Sequence, residues 1–325
     1  MNVLLVGLGR WGEKHLRVLG EIGETVWVAD VSADRRRWAT AHGVEPAHAV
    51  EDYRSVLEGV DAVDVVTPAD SHLAVAEACL RAGKHCFIEK PLTRTAAEGR
   101  RLVAAAAETG RVVQVGHIFR FHPVTAALEA ALAAGRIGAV RYATGRFSGF
   151  KRPRTDVGVF QTDGIHYVDL FRHLLRREPA RVSALQRDFL GRGLDDLSVV
   201  TVDYDDVPVV IEANYFVPGT YRDCVIVGEA GSLAADYGTG TVTLHLGEHR
   251  RAGSAWDAVD TGKEDLPASG GEPLRLELEA FAAACRGQRP VPVTAEDGLI
   301  AVEVAEAATR SARLGRSVTL AEQRL

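Results

Sequence analysis

The sequence predicts an α/β protein with two domains, a parallel-sheet domain followed by an α+β domain built on a large open, mostly antiparallel sheet. At 325 residues the chain exceeds what one ordinary core accommodates. Residues 1 to 116 alternate short, continuous apolar runs with helical stretches, which is typical of buried parallel strands joined by right-handed crossovers. After about residue 119 the apolar runs are joined by short turns, which predicts the antiparallel sheet.

The apolar periodicity assigns the elements of each domain. In the first domain, residues 1 to 119, we predict strands at Val3 to Val6, Thr25 to Ala29, Ala62 to Val66, His85 to Ile88 and Val112 to Val115. The intervening predicted helices are Lys14 to Leu19, Ala33 to Ala41, Ser71 to Arg81 and Ala96 to Glu108.

The second predicted domain covers residues 120 to 325. Its predicted strands are Val140 to Phe147, Val182 to Asp188, Leu197 to Tyr204, Val207 to Tyr215 and Cys224 to Val227. Its predicted helices are Val124 to Ala134, Asp163 to Leu175, Leu274 to Cys285 and Ala295 to Leu314, and the last two can pack back on the first domain. Residues 247 to 271, rich in Gly, Ser, Asp and Glu, are predicted to be an exposed loop.

Composition argues against several classes of protein. A net charge of -6 does not fit a nucleic-acid-binding surface. No apolar run approaches the roughly 20 residues that span a bilayer, and the chain begins directly in its first strand, so we expect a cytoplasmic protein without a membrane partner. The four cysteines show no CxxC spacing and no His/Cys cluster, so we predict neither a disulfide framework nor a bound metal.

A glycine-rich turn, Gly7-Leu8-Gly9-Arg10-Trp11-Gly12, follows the first predicted strand and opens the first helix. This is the context that a dinucleotide-binding turn requires. Gly7 permits the tight turn, Gly9 lets the backbone approach a pyrophosphate, and Gly12 lets the helix pack closely on the strand. We assign the three glycines, together with Arg10 and Trp11, to a cofactor site.

Two residues near the end of the second predicted strand bear on which cofactor binds. Asp30 is placed to accept both ribose hydroxyls and to repel a 2′-phosphate, which favours NAD over NADP. Arg35 weakens that inference because a nearby guanidinium tolerates the phosphate. Asp30 can also be a simple turn or N-cap residue.

The segments after two further strands complete the predicted cofactor site, since ligands of a parallel sheet bind at the carboxyl ends of its strands. They supply Thr67, Pro68 and His72 from TPADSH, and Glu89 and Lys90 from EKPLT. An ammonium beside a nicotinamide can hold a substrate hydroxyl or shuttle its proton. The alternatives are a helix N-cap in the first segment and a solvated Glu-Lys pair in the second.

The motifs GLGRWGEKHLRVL, TPADSH, EKPLT and DVGVFQTDGIHYVDL together resemble the Gfo/Idh/MocA oxidoreductase family, over essentially the whole chain. The resemblance implies an N-terminal Rossmann domain that holds NAD(P). It also implies a C-terminal domain that supplies the substrate site and commonly an oligomer interface. The family's EKP lysine corresponds to Lys90, and its active-site histidine to His166. The first motif and the DVGV segment are most similar to members acting on nucleotide-linked amino sugars.

One position departs from the family pattern. The family often places an aspartate four residues before the histidine, where this chain has Thr162, followed by Asp163. A threonine can hydrogen-bond a sugar hydroxyl but cannot titrate. Asp163, three residues before His166, can substitute if the helix begins there, or it can simply be an acid that favours a helix start.

Four further residues are predicted to contact the substrate: Arg120, Lys151, Arg154 and Tyr167. For the three charged residues, the alternative is an ordinary surface charge. Asp169, three residues after His166, is placed to orient the histidine ring.

Together with the family resemblance, these observations predict an NAD-dependent dehydrogenase or reductase that acts on a CH–OH group of a nucleotide-linked or amino sugar. The resemblance also implies a dimer or tetramer assembled through the C-terminal sheet. Hydride passes between a carbinol carbon and the nicotinamide, while His166 takes or relays the hydroxyl proton and Lys90 stabilises the alkoxide. Within the enzymes, the alternatives are an inositol or free-aldose dehydrogenase and a ketosugar reductase. From another class, the alternative is a dinucleotide-binding sensor without turnover.

Overall fold

The structure is a computed structural model that describes residues 1–324. The chain divides into two compact units. Unit 1 comprises Met1–Ile118 and Glu272–Val302, and unit 2 comprises Phe119–Gly271 and the described chain from Glu303 onward. None of the described helices carries an apolar stretch long enough to cross a bilayer.

The secondary structure follows the alternation that the sequence predicts. In chain order the strands are β1 (Asn2–Val6), β2 (Thr25–Ala29), β3 (Ala49–Val50), β4 (Ala62–Val65), β5 (His85–Glu89), β6 (Val113–Gly116), β7 (Val140–Gly149), β8 (Pro179–Arg187), β9 (Leu197–Tyr204), β10 (Val207–Asn214), β11 (Thr220–Gly228), β12 (Gly231–Asp236), β13 (Thr241–Ala252), β14 (Ala255–Leu266) and β15 (Val318–Thr319). The α-helices are α1 (Gly12–Glu21), α2 (Ala33–Ala41), α3 (Ala69–Arg81), α4 (Ala96–Thr109), α5 (Pro123–Ala133), α6 (Ile165–Leu175), α7 (Pro273–Cys285), α8 (Ala295–Leu314) and α9 (Leu320–Arg324). A π-helical segment, Phe160–Gly164, directly precedes α6.

Unit 1 is built on a parallel sheet with the strand order β3-β2-β1-β4-β5-β6. Its central strands are buried on both faces, as their continuous apolar sequence requires. In the register, Val6 pairs with Val65 and Val65 pairs with Ile88. The carboxyl ends of β1, β4 and β5 therefore lie side by side at one edge, and the segments that follow these three strands meet there.

Local sequence signals explain the limits of several helices in unit 1. Thr95 and Glu98 form a reciprocal capping box at the start of α4, which satisfies two backbone N–H groups of the first turn. Gly110 ends the same helix in the left-handed conformation, with φ of 61°. The ring of Phe281 on α7 packs edge-on against Phe87 of β5, with ring centroids 5.7 Å apart, so α7 completes the core of this unit.

Unit 2 is built on an open sheet with the order β14-β13-β12-β11-β7-β10-β9-β8-β15. Among the strands that the structure describes in this sheet, β7 and β10 pair in parallel and the other pairs are antiparallel. Strands β9 and β10 alternate buried and more exposed residues, so one face of the sheet is covered. The predicted fold class, a parallel-sheet domain with a second, mostly antiparallel open sheet, is confirmed.

Within unit 2, two tyrosine side chains connect helix α6 to the sheet. Tyr204 of β9 donates its hydroxyl to the carbonyl of Val168 at 2.9 Å. Tyr167 lies against β7 at Gly145, where a Cβ would come 2.6 Å from the ring. A glycine is therefore required at that point of the strand to admit the aromatic ring.

One segment was predicted wrongly. Residues 247 to 271 are not a loop, because β13 and β14 form a long antiparallel hairpin that includes much of that range. Nearly all residues of β14 are exposed, so burial imposes no apolar alternation on their sequence. The short strands β3, β12 and β15 were also missed, whereas β2, β9, α2 and α8 coincide with their predicted limits.

Candidate active site

The glycine turn between β1 and α1 is closely packed where its sequence requires glycine. Gly7 has a φ of 97°, and a Cβ there would lie 2.6 Å from the carbonyl oxygen of Val66. A Cβ on Gly12 would lie 2.1 Å from the Gly7 carbonyl oxygen. A Cβ on Gly9 would meet no atom of the described structure within 4 Å, so the turn is open on that side. The open space at Gly9 and the backbone N–H groups at the start of α1 are suited to binding a diphosphate.

Asp30 and Arg35 both fasten this turn. The Asp30 carboxylate accepts hydrogen bonds from the backbone N–H groups of Leu8 and Ser32, each at 2.8 Å. The Arg35 guanidinium donates to the Leu8 carbonyl at 2.6 Å and forms an ion pair with Glu13. Arg35 is therefore already engaged with the turn and its first helical residues. Ser32, rather than Asp30, is the N-cap of α2.

His72 connects two of the segments that the sequence assigns to the cofactor site. Its Nδ1 lies 2.9 Å from the Pro91 carbonyl oxygen, and its Nε2 lies 2.9 Å from the Thr67 carbonyl oxygen. The ring is buried. Pro68 occupies the N-cap position of α3, and the peptide bond between Lys90 and Pro91 is cis. His72 thus holds the segment after β4 against the segment after β5.

Beneath this edge of the sheet lies a buried cluster of three ionisable side chains, which we call the His15 cluster: His15 of α1, Asp64 of β4 and Glu89 of β5. His15 Nδ1 lies 2.8 Å from Asp64 Oδ2, and His15 Nε2 lies 3.3 Å from Glu89 Oε1. All three residues are buried. Glu89 also accepts a 2.8 Å hydrogen bond from Trp11 Nε1 and a 3.1 Å hydrogen bond from the Lys90 backbone N–H.

The members of the His15 cluster shift one another's pKa values; for Asp64, burial raises the pKa, and the charge and hydrogen bond of His15 offset only part of that rise. Burial alone lowers the pKa of His15, but the Asp64 and Glu89 carboxylates outweigh it, and the pKa is raised to about 10. Burial alone raises the pKa of Glu89, but the hydrogen bond and charge of His15, together with the Lys90 charge and the Trp11 hydrogen bond, outweigh it, and that pKa is lowered. His15 is therefore a buried cation that keeps Glu89 ionised.

In unit 2, His166 lies in the first turn of α6 and is buried. Its ring is nearly parallel to those of Phe119 and Phe147, with centroid distances of 4.9 Å and 5.5 Å. These two neighbouring aromatic rings limit the orientations available to the imidazole. The Lys151 ammonium lies 4.9 Å from the centroid of the same Phe147 ring.

The residues at the departure from the family pattern form separate contacts. Thr162 donates its hydroxyl to the Gly158 carbonyl at 2.8 Å. Asp163 is buried, and its Oδ2 lies 2.6 Å from Lys151 Nζ. The helical start that Asp163 was expected to share with His166 is a π-helical turn, a geometry that is frequent at functional sites. The catalytic assignments of Thr162 and Asp163 stay predictions.

The other predicted substrate contacts have partners within unit 2. Arg120 donates from Nε to Asp169 at 2.8 Å, and the guanidinium and carboxylate pair is largely buried. Arg154 donates from Nε to Asp156 at 2.8 Å, with the arginine partly exposed. Tyr167 is fully buried and donates to backbone carbonyls of β7 and β11. These contacts give Tyr167 a structural role, and its contact with a substrate stays a prediction.

Sequence reasoning missed His15 and Asp64. One signal for Asp64 was present, since an acid stands inside the apolar strand Ala62–Val65. A buried carboxylate must be paired, so that position was a signal for a cationic partner elsewhere in the chain. Nothing in the periodicity of α1 identifies His15 as that partner, because the two residues meet only after β1 and β4 pair.

A parallel sheet of this strand order, with a glycine turn after β1 and an acid after β2, defines a dinucleotide-binding domain. Residues 1–117 match the family described as "Oxidoreductase family, NAD-binding Rossmann fold", and residues 129–320 match its "C-terminal alpha/beta domain". The chain belongs to the Gfo/Idh/MocA oxidoreductase family. The resemblance inferred from the four motifs is thereby confirmed.

Individual relatives span nearly the whole chain. The chain is 33% identical to inositol 2-dehydrogenase 1 of Saccharopolyspora erythraea, over 98% of this chain and 96% of that protein. It is 30% identical to UDP-N-acetylglucosamine 3-dehydrogenase of Acidithiobacillus ferrooxidans, over 90% of each. A solved structure of a UDP-N-acetylglucosamine 3-dehydrogenase from the same organism matches with a TM-score of 0.80 and 26% identity, covering 99% of both chains.

The glycine turn generates a direct test. We expect Gly12→Ala to weaken dinucleotide affinity by at least about tenfold, because a Cβ at 2.1 Å from the Gly7 carbonyl must displace the turn. Titration of NADH fluorescence measures this affinity. Gly20→Ala on the same helix is the matched control, since a Cβ there meets nothing within 4 Å. Unchanged affinity in Gly12→Ala would show that the dinucleotide does not use this turn.

Proposed function

We propose that the protein is an NAD-dependent oxidoreductase that transfers a hydride between nicotinamide and a secondary alcohol or ketone of a sugar. The observation that carries the proposal is the position of Lys90, directly after β5 on the edge of the sheet that also bears the glycine turn. The matched oxidoreductase family supports it. The similarity to UDP-N-acetylglucosamine 3-dehydrogenase favours a nucleotide-linked or amino sugar as substrate. The similarity to inositol 2-dehydrogenase makes a cyclic polyol the second candidate.

The residues of the chain have separate roles in this reaction. Bound nicotinamide supplies the carbon that accepts or donates the hydride. In the oxidation direction, His166 takes the proton of the substrate hydroxyl, and the Lys90 ammonium stabilises the negative charge that develops on the oxygen. This mechanism requires that Lys90 and His166 reach the same substrate hydroxyl, which stays a prediction.

Lys151 is the residue that we assign to substrate hydroxyls. Its ammonium has three N–H donors and lies 2.6 Å from Asp163 Oδ2, with which it forms an ion pair. Because the neighbouring Asp163 balances its charge, the pair is suited to neutral hydroxyl groups rather than to a free anion. Its side chain is 35% exposed, which leaves the ammonium accessible to a ligand.

Substitution of the two proposed catalytic residues tests the function. We expect Lys90→Ala to lower kcat by roughly 10²- to 10⁴-fold, because the negative charge that develops on the substrate oxygen loses its stabilising ammonium. The NADH dissociation constant should change far less. We expect His166→Asn to suppress turnover equally while circular dichroism shows an intact fold. The assay is absorbance of reduced nicotinamide with a panel of nucleotide-linked sugars, free aldoses and inositols.

Lys263→Ala, an exposed lysine on β14, is the control for this experiment. Equal losses of kcat and of NADH affinity in Lys90→Ala would make the lysine only a cofactor contact. Absence of turnover by the unsubstituted protein with every member of the panel would favour the sensor interpretation.

We also propose that NAD is preferred over NADP. Asp30 supports this preference because its carboxylate stands where a 2′-phosphate would bind, and Arg35 is engaged by Glu13 and the Leu8 carbonyl. We expect Asp30→Ala to shift the kcat/KM ratio of the two coenzymes towards NADP by about tenfold to 100-fold. A hydrogen bond to a charged group contributes about 1.5 to 3 kcal/mol, which sets this range. Asp34→Ala, an exposed acid on α2, should leave the ratio unchanged. An unaltered ratio in Asp30→Ala would contradict the assignment.

A homo-oligomer, either a dimer or a tetramer, is the assembly that we propose. Tyr142 of β7, Leu185 of β8 and Val210 of β10 are large apolar side chains that are 44%, 45% and 36% exposed. The strand register places them on one face of the sheet of unit 2. We expect Val210→Glu to lower the sedimentation mass towards that of a monomer, whereas Val31→Glu in unit 1 should not. A monomeric unsubstituted protein would refute this assembly.

A further inference from the structure

The His15 cluster is a charged group inside unit 1 that the proposed reaction does not use directly. Its three members come from α1, β4 and β5, so their contacts exist only when helix and sheet have packed. The side chains of His15 and Asp64 are fully buried, and that of Glu89 is 9% exposed. Burial of three ionisable groups costs several kcal/mol unless they are paired, so the arrangement requires an explanation.

The contacts of His15 determine its protonation. Each ring nitrogen faces a carboxylate oxygen, of Asp64 on one side and Glu89 on the other. A neutral imidazole has one N–H and would direct a lone pair at one of those oxygens. Both nitrogens therefore carry hydrogen, and the raised pKa of His15, about 10, agrees with that.

The Glu89 carboxylate, which lies against the His15 ring, also accepts hydrogen bonds from two parts of the proposed cofactor site. One oxygen, Oε2, accepts from the backbone N–H of Lys90, and Oε1 accepts from the indole N–H of Trp11 in the glycine turn. Gly116 of β6 leaves room for this carboxylate, since a Cβ there would lie 2.8 Å from Oε1. The Glu89 carboxylate is therefore held by His15, Trp11 and the Lys90 backbone. It fits beside β6 because Gly116 has no side chain.

We propose that His15 is a positioning residue for the reaction, which acts by holding the Glu89 carboxylate and, through it, the backbone that carries the Lys90 ammonium. The inference rests on the proposed function, because it gives Lys90 the catalytic role. A neutral residue at position 15 leaves two carboxylates buried without their common cation. Glu89 must then move or take up a proton, and in either case its hydrogen bond to Lys90 changes.

Kinetics of three variants test the proposal. We expect His15→Gln and Glu89→Gln each to lower kcat on the order of 10- to 100-fold, because small displacements of a catalytic group have effects of this size. The NADH dissociation constant should change less than kcat. The double variant should lose no more than either single variant, since both act through one chain of contacts.

Val18→Ala is the matched control, because Val18 is a fully buried residue of the same helix outside the His15 cluster. It should lower thermal stability with little effect on kcat. An unchanged kcat in a folded His15→Gln variant would overturn the proposal. So would losses that multiply in the double variant, because His15 would then act independently of Glu89.

A second measurement reads the Lys90 environment without any turnover. The chain has only five lysines, so reductive ¹³C-dimethylation gives few NMR signals, and that of Lys90 is identified by its loss in Lys90→Arg. We expect the Lys90 signal to shift in His15→Gln and to keep its position in Val18→Ala. An identical Lys90 signal in His15→Gln would refute positioning. If no sugar is turned over, the proposed function fails, but the NMR result still decides whether His15 positions Lys90.

Discussion

The positive charge that we infer for His15 is the constraint on which the proposed cofactor edge of unit 1 depends. A buried imidazolium is tolerated only where carboxylates lie against it, and here Asp64 and Glu89 do so at 2.8 Å and 3.3 Å. The dependence is mutual, since without His15 the two carboxylates would be like charges in a medium of low dielectric constant. One of these carboxylates directly precedes Lys90. A change in the charges of the His15 cluster would therefore also change the position of the proposed catalytic ammonium of Lys90.

In unit 2, a buried carboxylate is balanced by a neighbouring ammonium. Asp163 pairs with the ammonium of Lys151, which comes from the preceding loop, and Thr162 directs its hydroxyl to the Gly158 carbonyl four residues earlier. The aromatic rings of Phe119 and Phe147 restrict the orientation of the His166 imidazole.

Sequence predicted the fold of unit 1 well because burial on both faces leaves a continuous apolar signature in every central strand. The same reasoning explains why residues of β13 and β14 were wrongly predicted to form a loop. Where these strands are exposed they carry charged and polar residues, so their sequence lacks the apolar signature of a buried strand. Glycines of the turn were predictable from their context, since the close approach of Gly12 to the Gly7 carbonyl excludes any side chain. The partners of Glu89 and Asp163 were not predictable, because ion pairs between distant segments have no periodicity.

The two roles of Asp30 limit how the coenzyme preference can evolve. Its carboxylate accepts from the Leu8 and Ser32 backbone N–H groups, so the charge that we propose repels a 2′-phosphate also satisfies donors of the glycine turn and of the start of α2. Removing the carboxylate leaves these N–H groups without that acceptor, at a cost of about 1 to 3 kcal/mol for each one that is buried. Arg35 cannot simply compensate, because its guanidinium is held by Leu8 and Glu13. A stable protein that prefers NADP therefore requires more than the loss of the Asp30 carboxylate: one further substitution must restore the turn and another must free or add a cation.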